Sequence, residues 1–359
     1  MIEVLNTLYE FNISKINILQ RKVSIDNNFT LLFGTPKCGK TYLIYDYLQQ
    51  FENEEYLYID INDIRINKNE IFLNLNSFIN EKNISVLALD NFDFSFDISS
   101  LENLTSIVIS TTNCEVLVPK FNKIHLLPLD FEEFILFDNK HQNTINSFNY
   151  FLKHGNLPEI IQYSDLNKLQ RNQEVLKLIT TNEIEFEILK LIVKNSGEIK
   201  SILQLFTILK KNHKISKDFF YSTCKKFEIN NIIYFCQKYK STKSPKKIFC
   251  FNHSFIDAVN INKNFNNLFS NMVFLELKKF YQNIYYLDNI DFYIKEKNSI
   301  ILTIPFFNNY ISISKKILPI LVEYNISSIT IVTISTNDTI FIGDIEYEVI
   351  PFYEWSLGL

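Results

Sequence analysis

The stretch Gly34-Thr35-Pro36-Lys37-Cys38-Gly39-Lys40-Thr41 determines the fold that this sequence predicts. The apolar run Asn28–Phe33 before it is typical of a buried strand, and Tyr42–Phe51 after it has a helical pattern. In such a strand–loop–helix unit, backbone N–H groups point inward and the helix N-terminus adds partial positive charge. We therefore predict a phosphate-binding loop. The alternative is a chance match on an ordinary loop.

Each residue type in this loop has a place in phosphate chemistry. Gly34 and Gly39 permit a tight wrap of the backbone. Lys40 is expected to bridge the β- and γ-phosphates of ATP, and Thr41 to offer its hydroxyl to Mg²⁺. Ten residues are predicted to contact the nucleotide: Gly34, Thr35, Pro36, Lys37, Cys38, Gly39, Lys40, Thr41, Tyr42 and Thr111.

A second part of the same site is predicted where a neighbouring strand ends. Four apolar residues lead into Asp90, which is expected to hold Mg²⁺ through water together with Thr41. The alternative is an aspartate that only caps a loop. Most ATPases of this kind have glutamate next, but here it is Asn91, whose amide positions water without accepting its proton. Asp93 is a poorer substitute. The predicted catalytic residues are Asp90, Asn91 and Asp93.

Further strand patterns surround this site and define the fold class. Runs at Tyr56–Ile61, Ser85–Leu89, Ser106–Ser110 and Lys123–Leu126 alternate with helical segments, which predicts an α/β fold with a parallel sheet covered on both faces. Polar residues follow the run Ser106–Ser110. Thr111 or Asn113 is expected to sense the γ-phosphate, unless these residues only form a loop.

The remainder of the chain predicts three more segments. Residues 129–182 are mostly helical, with a break at Gly155-Asn156-Leu157-Pro158, and are interpreted as a helical lid. Residues 183–255 show three helices and two strands around a lysine-rich tip, which is the winged-helix pattern. Residues 256–359 form a second α/β unit. The ATP-binding core is then residues 1–128.

Composition excludes several classes of protein. The net charge is −4 and the pI about 5.8, so the chain as a whole is no basic nucleic-acid coat. Five cysteines without a CxxC pair indicate a reducing, cytoplasmic setting, and the five scattered histidines predict no zinc site. No signal peptide is recognised, and no apolar run approaches the roughly 20 residues of a membrane span.

The charge is nevertheless unevenly distributed. Residues 210–247 contain eleven lysines and two acidic residues, a formal charge of +9. Such lysines contact DNA phosphates without reading sequence. Two alternatives stay open, an ordinary solvated face and a protein-docking module. The tip lysines considered for DNA are Lys238, Lys240, Lys243, Lys246 and Lys247.

Five segments together resemble the archaeal-type AAA ATPases, a family also found in bacteria. They are the loop, Leu89-Asp90-Asn91, Leu127–Phe134, Gly155–Glu159 and Ile350–Trp355. The resemblance covers nearly the whole chain. It implies a P-loop domain with a lid, a winged helix and a restriction-endonuclease-like domain. The family's nucleotide residues carry over to Gly34, Gly39, Lys40, Thr41 and Asp90.

The chain departs from the family pattern in its arginines and its nuclease residues. It has three arginines, Arg21, Arg65 and Arg171, and lacks the usual one after the sensor strand. Lysine does not replace an arginine finger well, so a ring-forming motor is disfavoured. Arg65 faces the nucleotide or is an ordinary surface residue. In the C-terminal domain Asp291 fits a nuclease position, but Ile300–Ile304 lacks the Glu-x-Lys pair, which predicts no cleavage.

We therefore expect an ATP-binding protein that is a slow AAA-type ATPase. Its nucleotide state is expected to control the winged helix and the C-terminal domain, which bind DNA or a protein partner. The alternative is a nucleotide-gated binding module that holds ATP without turnover, which Asn91 favours. The sequence does not define the oligomeric state.

Overall fold

The computed structural model describes residues 2–101, 103–140, 143–307, 311–342 and 345–359. The chain divides into two compact units. The first comprises residues 1–127 with Ile229–Asn231, and the second comprises Pro128–Glu228 with Ile232–Leu359. The division falls one residue before the predicted end of the ATP-binding core.

The first unit is a five-stranded sheet in which every pairing is parallel, in agreement with the predicted fold class. The spatial order is β2-β3-β4-β1-β5. The strands are β1 Phe29–Gly34, β2 Tyr56–Asp60, β3 Val86–Asp90, β4 Ser106–Thr111 and β5 Asn122–Leu126. The helices are α1 Ile2–Tyr9, α2 Lys40–Leu48 and α3 Lys68–Lys82.

Helices cover both faces of this sheet because alternate strand residues point to opposite sides. Leu57, Leu87 and Ile109 belong to an apolar cluster with residues of α1 and α3. Tyr58 and Ala88 belong to a second cluster, which includes residues of α2. The helix that begins at the loop therefore packs on the face that carries residues 58 and 88.

The second unit contains ten helices and nine strands in the described ranges. The helices are α4 Phe131–Phe137, α5 Thr144–His154, α6 Asp165–Leu178, α7 Glu183–Lys194, α8 Ile202–Lys210, α9 Lys217–Ile229, α10 Phe255–Val259, α11 Phe265–Phe280, α12 Ile311–Tyr324 and α13 Phe352–Trp355. The strands are β6 Ile199–Lys200, β7 Ile233–Lys238, β8 Lys246–Cys250, β9 Ile284–Leu287, β10 Ile290–Ile294, β11 Ser299–Thr303, β12 Ser328–Thr333, β13 Asp338–Ile342 and β14 Ile345–Pro351. None of the helices in the described ranges has the length and apolar character needed to cross a bilayer.

The strands of the second unit form one continuous sheet in the order β13-β14-β12-β11-β10-β9-β7-β8-β6. The three helices and the β7–β8 hairpin occur where the winged-helix pattern placed them. On one side of the hairpin β7 pairs in parallel with β9 through Gln237↔Tyr285 and Lys238↔Tyr286, and on the other side β8 pairs with β6. The backbone N–H of Tyr239 also donates to the carbonyl of Tyr286 at 3.0 Å. The hairpin is therefore bound to the C-terminal strands.

Family-like segments outside the loop meet in the core of this second unit. Asp130 begins α4 with a capping box that includes Glu133, and Phe131 packs against Phe352 with ring centroids 5.7 Å apart. The carboxylate of Glu276 on α11 accepts the backbone N–H of Phe131 at 2.8 Å. These residues join α4, the C-terminal helix α13 and α11 through packing and helix capping.

Candidate nucleotide site

The loop wraps tightly because two of its residues have a positive φ and a third has no room for a side chain. Lys37 has φ 63° and Gly39 has φ 101°. A Cβ on Gly34 would lie only 2.0 Å from the carbonyl oxygen of Leu126 at the end of β5. Glycine at position 34 therefore lets β1 and β5 pair right up to the loop.

Lys40 points back into the loop. Its ammonium Nζ donates to the carbonyl oxygens of Gly34 at 3.0 Å and Thr35 at 2.8 Å, and the residue is 6% exposed. The Thr35 hydroxyl is buried and has no hydrogen-bond partner among the described residues. A phosphate group accepts hydrogen bonds from an ammonium, a hydroxyl and backbone N–H groups. The donors present here therefore fit a phosphate.

Asp90, at the end of β3, is 1% exposed and accepts four hydrogen bonds. Oδ2 accepts from the Thr41 hydroxyl at 2.6 Å and from the Tyr58 hydroxyl at 2.9 Å. Oδ1 accepts from the backbone N–H of Asn91 and the Ser110 hydroxyl. A buried carboxylate needs such donors to stay charged. The structure thus brings together the two residues predicted to hold Mg²⁺, with oxygen atoms of the type that ion prefers.

Tyr58 and Ser110 were not found by sequence reasoning. Burial raises the pKa of Tyr58, and the charge of Asp90 raises it further, so the phenol stays protonated and donates to Asp90. Both residues lie on the α2 face of the sheet, on the strands that flank β3. In the sequence, each of these residues can be recognised as a polar side chain at or near the carboxyl end of an otherwise apolar strand. Both strands are neighbours of β3, the strand that ends in Asp90.

Asn91 and Asp93, the other predicted catalytic residues, have different partners. Asn91 has φ 55°, and its side-chain amide donates to the Asp60 carboxylate at 2.9 Å. Asp93 forms an ion pair with Lys68 and also accepts the backbone N–H of Ser95. Burial alone would raise the pKa of Asp93, but these hydrogen bonds outweigh it and hold that pKa below its usual range.

The remaining predicted contacts lie at the ends of α2 and β4. Tyr42 is 53% exposed, and its ring meets the Tyr45 ring edge-on at 5.9 Å. Thr111 is buried, and its hydroxyl accepts the backbone N–H of Asn113 at 3.3 Å. The residue of β4 whose hydroxyl reaches the Asp90 carboxylate is Ser110.

An arginine that the sequence did not single out contacts the loop. The Arg21 guanidinium donates to the carbonyl of Cys38 at 2.7 Å and to the carbonyl of Leu127 at 2.9 Å. It therefore ties the loop backbone to the residue at which the first unit ends. The Arg65 guanidinium pairs instead with the Asp63 carboxylate, and 57% of the Arg65 side chain is exposed.

The acidic residue considered for nuclease chemistry, Asp291, has structural partners. Asp291 accepts from the Lys247 ammonium at 2.6 Å and from the backbone N–H and hydroxyl of Thr303, both at 2.9 Å. Among the described residues, no three His, Cys, Asp or Glu side chains are placed to hold a metal ion together. Asp291 is therefore held by Lys247 and Thr303.

Several lysines of the basic segment are neutralised within the second unit. Lys226 pairs with Glu185 at 2.8 Å, and Lys238 pairs with Asp288 at 2.6 Å. Lys247 is buried against Asp291. Two of the five tip lysines therefore pair with carboxylates of the second unit, Lys238 at its surface and Lys247 in a buried position. The exposed lysines of the segment include Lys210, Lys211, Lys214, Lys217, Lys240 and Lys243.

Comparisons with known proteins give a distant set of similarities. No family model matches the chain. An uncharacterized protein of Methanocaldococcus jannaschii is 26% identical, over 96% of this chain and 92% of its own length. The Walker-type ATPase of Pyrococcus abyssi is 14% identical, with a TM-score of 0.42, over 66% of this chain and 92% of its own.

Two further solved structures are similar at a comparable level. The Orc1 protein of Aeropyrum pernix, in complex with DNA, is 11% identical with a TM-score of 0.37, over 66% of this chain and 87% of its own. AMPPCP-bound DnaA from Aquifex aeolicus is 11% identical with a TM-score of 0.30, over 63% of this chain and 86% of its own. At this level of similarity, the functional interpretation depends on the side chains of the site itself.

Proposed function

We propose that this protein binds ATP with Mg²⁺ at residues 34–41 and hydrolyses it slowly, and that its nucleotide state controls the binding surfaces of the second unit. The observation that supports the proposal best is the meeting of three groups. Lys40 lies folded in the loop, and the Thr41 hydroxyl bonds the buried Asp90 carboxylate at 2.6 Å. A cation, a hydroxyl and a carboxylate beside a helix N-terminus suit a nucleoside triphosphate.

In this proposal Lys40 exchanges its two carbonyl partners for phosphate oxygens, and the loop N–H groups hold the phosphates. Thr41 and Asp90 would hold Mg²⁺, which neutralises phosphate charge when bound. The amide of Asn91 cannot accept the proton of the attacking water, and we expect turnover to be slow. The alternative function, a module that holds ATP without turnover, draws on the same residues and is favoured by the amide at position 91.

Turnover of purified protein distinguishes these two functions. We expect wild type to bind Mg²⁺–ATP with one nucleotide per chain and to release phosphate well below 1 s⁻¹, the low end of the usual range for enzymes. The measurement is steady-state phosphate release together with the nucleotide content of the protein. Full occupancy by uncleaved ATP over hours supports the holding function. Failure to bind ATP contradicts both.

The arginine contacts favour a site that works without a finger from a neighbouring chain. Arg21 and Arg65 bond partners in the first unit, and Arg171 bonds Glu159 and Glu174 in the second. These are the three arginines of the chain.

A cytoplasmic setting, proposed from the cysteine pattern, is consistent with five free thiols.

DNA is our proposed partner for the second unit, with an acidic protein as the alternative. The support is the exposed lysine set at the end of α8, on α9 and at the hairpin tip, which carries no acidic neighbour in sequence except Asp218 and Glu228. Because Lys238 and Lys247 are paired internally, we assign the contact to the α8–α9 region rather than to the whole tip.

The binding of duplex DNA is expected to weaken steeply with salt, with log affinity falling by about 0.9 per phosphate contact for each log unit of salt. Fluorescence anisotropy at several salt concentrations measures this slope. Neutralising Lys211, Lys214 and Lys217 to glutamine is expected to reduce the slope by about two to three. The control neutralises three exposed lysines elsewhere in the second unit, Lys177, Lys295 and Lys297. Affinity that does not change with salt contradicts the proposal.

A further inference from the structure

One carboxylate beside the candidate nucleotide site, that of Asp60, is not among the groups proposed to hold ATP or Mg²⁺. Asp60 is the last residue of β2, and it pairs in register with Asp90 at the end of β3. Residues two apart on a strand share a face, so Asp60 lies on the same side as Tyr58, whose hydroxyl bonds Asp90. That side is the one covered by α2, the helix that begins at the loop.

Asp60 is held firmly through one of its oxygens. Oδ1 accepts the side-chain amide of Asn91 at 2.9 Å and the backbone N–H of Asn62 at 3.0 Å. Oδ2 has no hydrogen-bond partner among the described residues, and the residue is partly exposed. A carboxylate that is held through one oxygen can still accept a hydrogen bond from water, and then its proton, through the other.

Asp93, the other carboxylate close in sequence, lacks this arrangement. Its Oδ2 is in an ion pair with Lys68, and its Oδ1 accepts the backbone N–H of Ser95. Freeing either oxygen of Asp93 would break an existing bond, whereas Oδ2 of Asp60 is already open.

We propose that Asp60 is the catalytic carboxylate of this ATPase, in place of a glutamate at position 91. The inference rests on the proposed function. Asp60 Oδ2 accepts a proton from the attacking water as its oxygen forms a bond to the γ-phosphorus. The bond from that phosphorus to the β–γ bridging oxygen breaks, and its electron pair leaves with ADP. The proton then passes to the released phosphate or to solvent, and Asp60 is restored.

The same geometry gives asparagine at position 91 a physical reason. A glutamate there would bring a second carboxylate close to Asp60, where the amide of Asn91 now lies 2.9 Å away. Two like charges at such a distance do not both stay ionised without cost. An amide donates to Asp60 instead and fixes it. The catalytic carboxylate is therefore at the end of β2 and not at position 91, directly after β3.

The first test is Asp60→Asn in the full chain, with Asp63→Asn as a matched control three residues further on. We expect Asp60→Asn to lower the rate of phosphate release by about 100-fold or more. ATP affinity, measured by titration with Mg²⁺, is expected to stay within about threefold, because Asp60 acts on water rather than on the nucleotide. Asp63→Asn is expected to leave both quantities within about twofold, since Asp63 bonds the exposed Arg65.

The second test exchanges the pair. Asn91→Glu alone is expected to give no gain in rate, whereas Asp60→Asn combined with Asn91→Glu is expected to recover at least about tenfold over Asp60→Asn. The exchange keeps one carboxylate and one amide side by side, and it still decides the question if Asp60→Asn folds poorly. Phosphate release by Asp60→Asn at the wild-type rate, or wild type that binds ATP without any turnover, would overturn the role of Asp60. Wild type that does not bind ATP would overturn the proposed function itself.

Discussion

Replacing Lys40 with alanine is expected to weaken ATP binding by about 100-fold or more. A factor of 100 corresponds to about 2.8 kcal/mol, the size expected when a charged hydrogen-bond donor to phosphate is lost. Lys40 is the only side-chain cation inside the loop, since Lys37 is exposed. Equilibrium titration with Mg²⁺–ATP measures the change.

This variant must be shown to keep its fold. Lys40 is buried and bonds two carbonyl oxygens, so its removal has some cost in stability as well. Circular dichroism and thermal unfolding of Lys40→Ala monitor that cost. Lys15→Ala, which removes an exposed lysine from the same unit, is the matched control and is expected to bind ATP as wild type does. A Lys40→Ala affinity within threefold of wild type would contradict the assignment of the loop.

The second large effect is expected from Gly155→Ala. Gly155 has φ 92° and ψ −171°, a conformation open to almost no residue except glycine. A Cβ there would lie 2.1 Å from the Asn252 side-chain oxygen and 2.3 Å from the Ser254 hydroxyl. Backbone strain and overpacking each cost about 1–3 kcal/mol. The second unit is therefore expected to lose about 3 kcal/mol or more of its free energy of unfolding.

Urea unfolding followed by the fluorescence of Trp355, the single tryptophan of the chain, reports on the second unit. A chain of two units need not unfold in one step, so the transition seen by Trp355 is the relevant one. Gly358→Ala is the matched control, because a Cβ there meets nothing within 4 Å. If Gly155→Ala unfolds at the wild-type urea concentration, the described packing of Gly155 against Asn252 and Ser254 is wrong.

Local patterns predicted much of the first unit. Four of its five strands are apolar runs that end in glycine or a polar residue, and the loop requires glycine at fixed positions. The strands β1 and β3 and the residues Lys40 and Asp90 were therefore found without any long-range information. The three helices and two hairpin strands of residues 183–255 were also found, because their period of apolar residues is clear. The last strand, β14, was not predicted, because only its end falls in the family-like Ile350–Trp355 segment.

The contacts that were missed depend on how distant segments meet. Tyr58 and Asp60 are about 30 residues from Asp90, and only the register of β2 with β3 places them beside it. Arg21 reaches a carbonyl 106 residues away. Conversely, Lys238 and Lys247 look like free positive charges in the sequence, yet β7, β8 and the C-terminal strands bring them to Asp288 and Asp291. Charge counts along a chain do not show such pairing.

The most direct test of the central claim is an equilibrium titration of the wild-type protein with ATP, with and without Mg²⁺. The arrangement of Lys40, Thr41 and Asp90 predicts saturable binding of one ATP per chain, strengthened by Mg²⁺ and reversed by excess ADP. Absence of saturable binding, or binding that Mg²⁺ leaves unchanged and that Lys40→Ala retains in full, would contradict the assignment of this site.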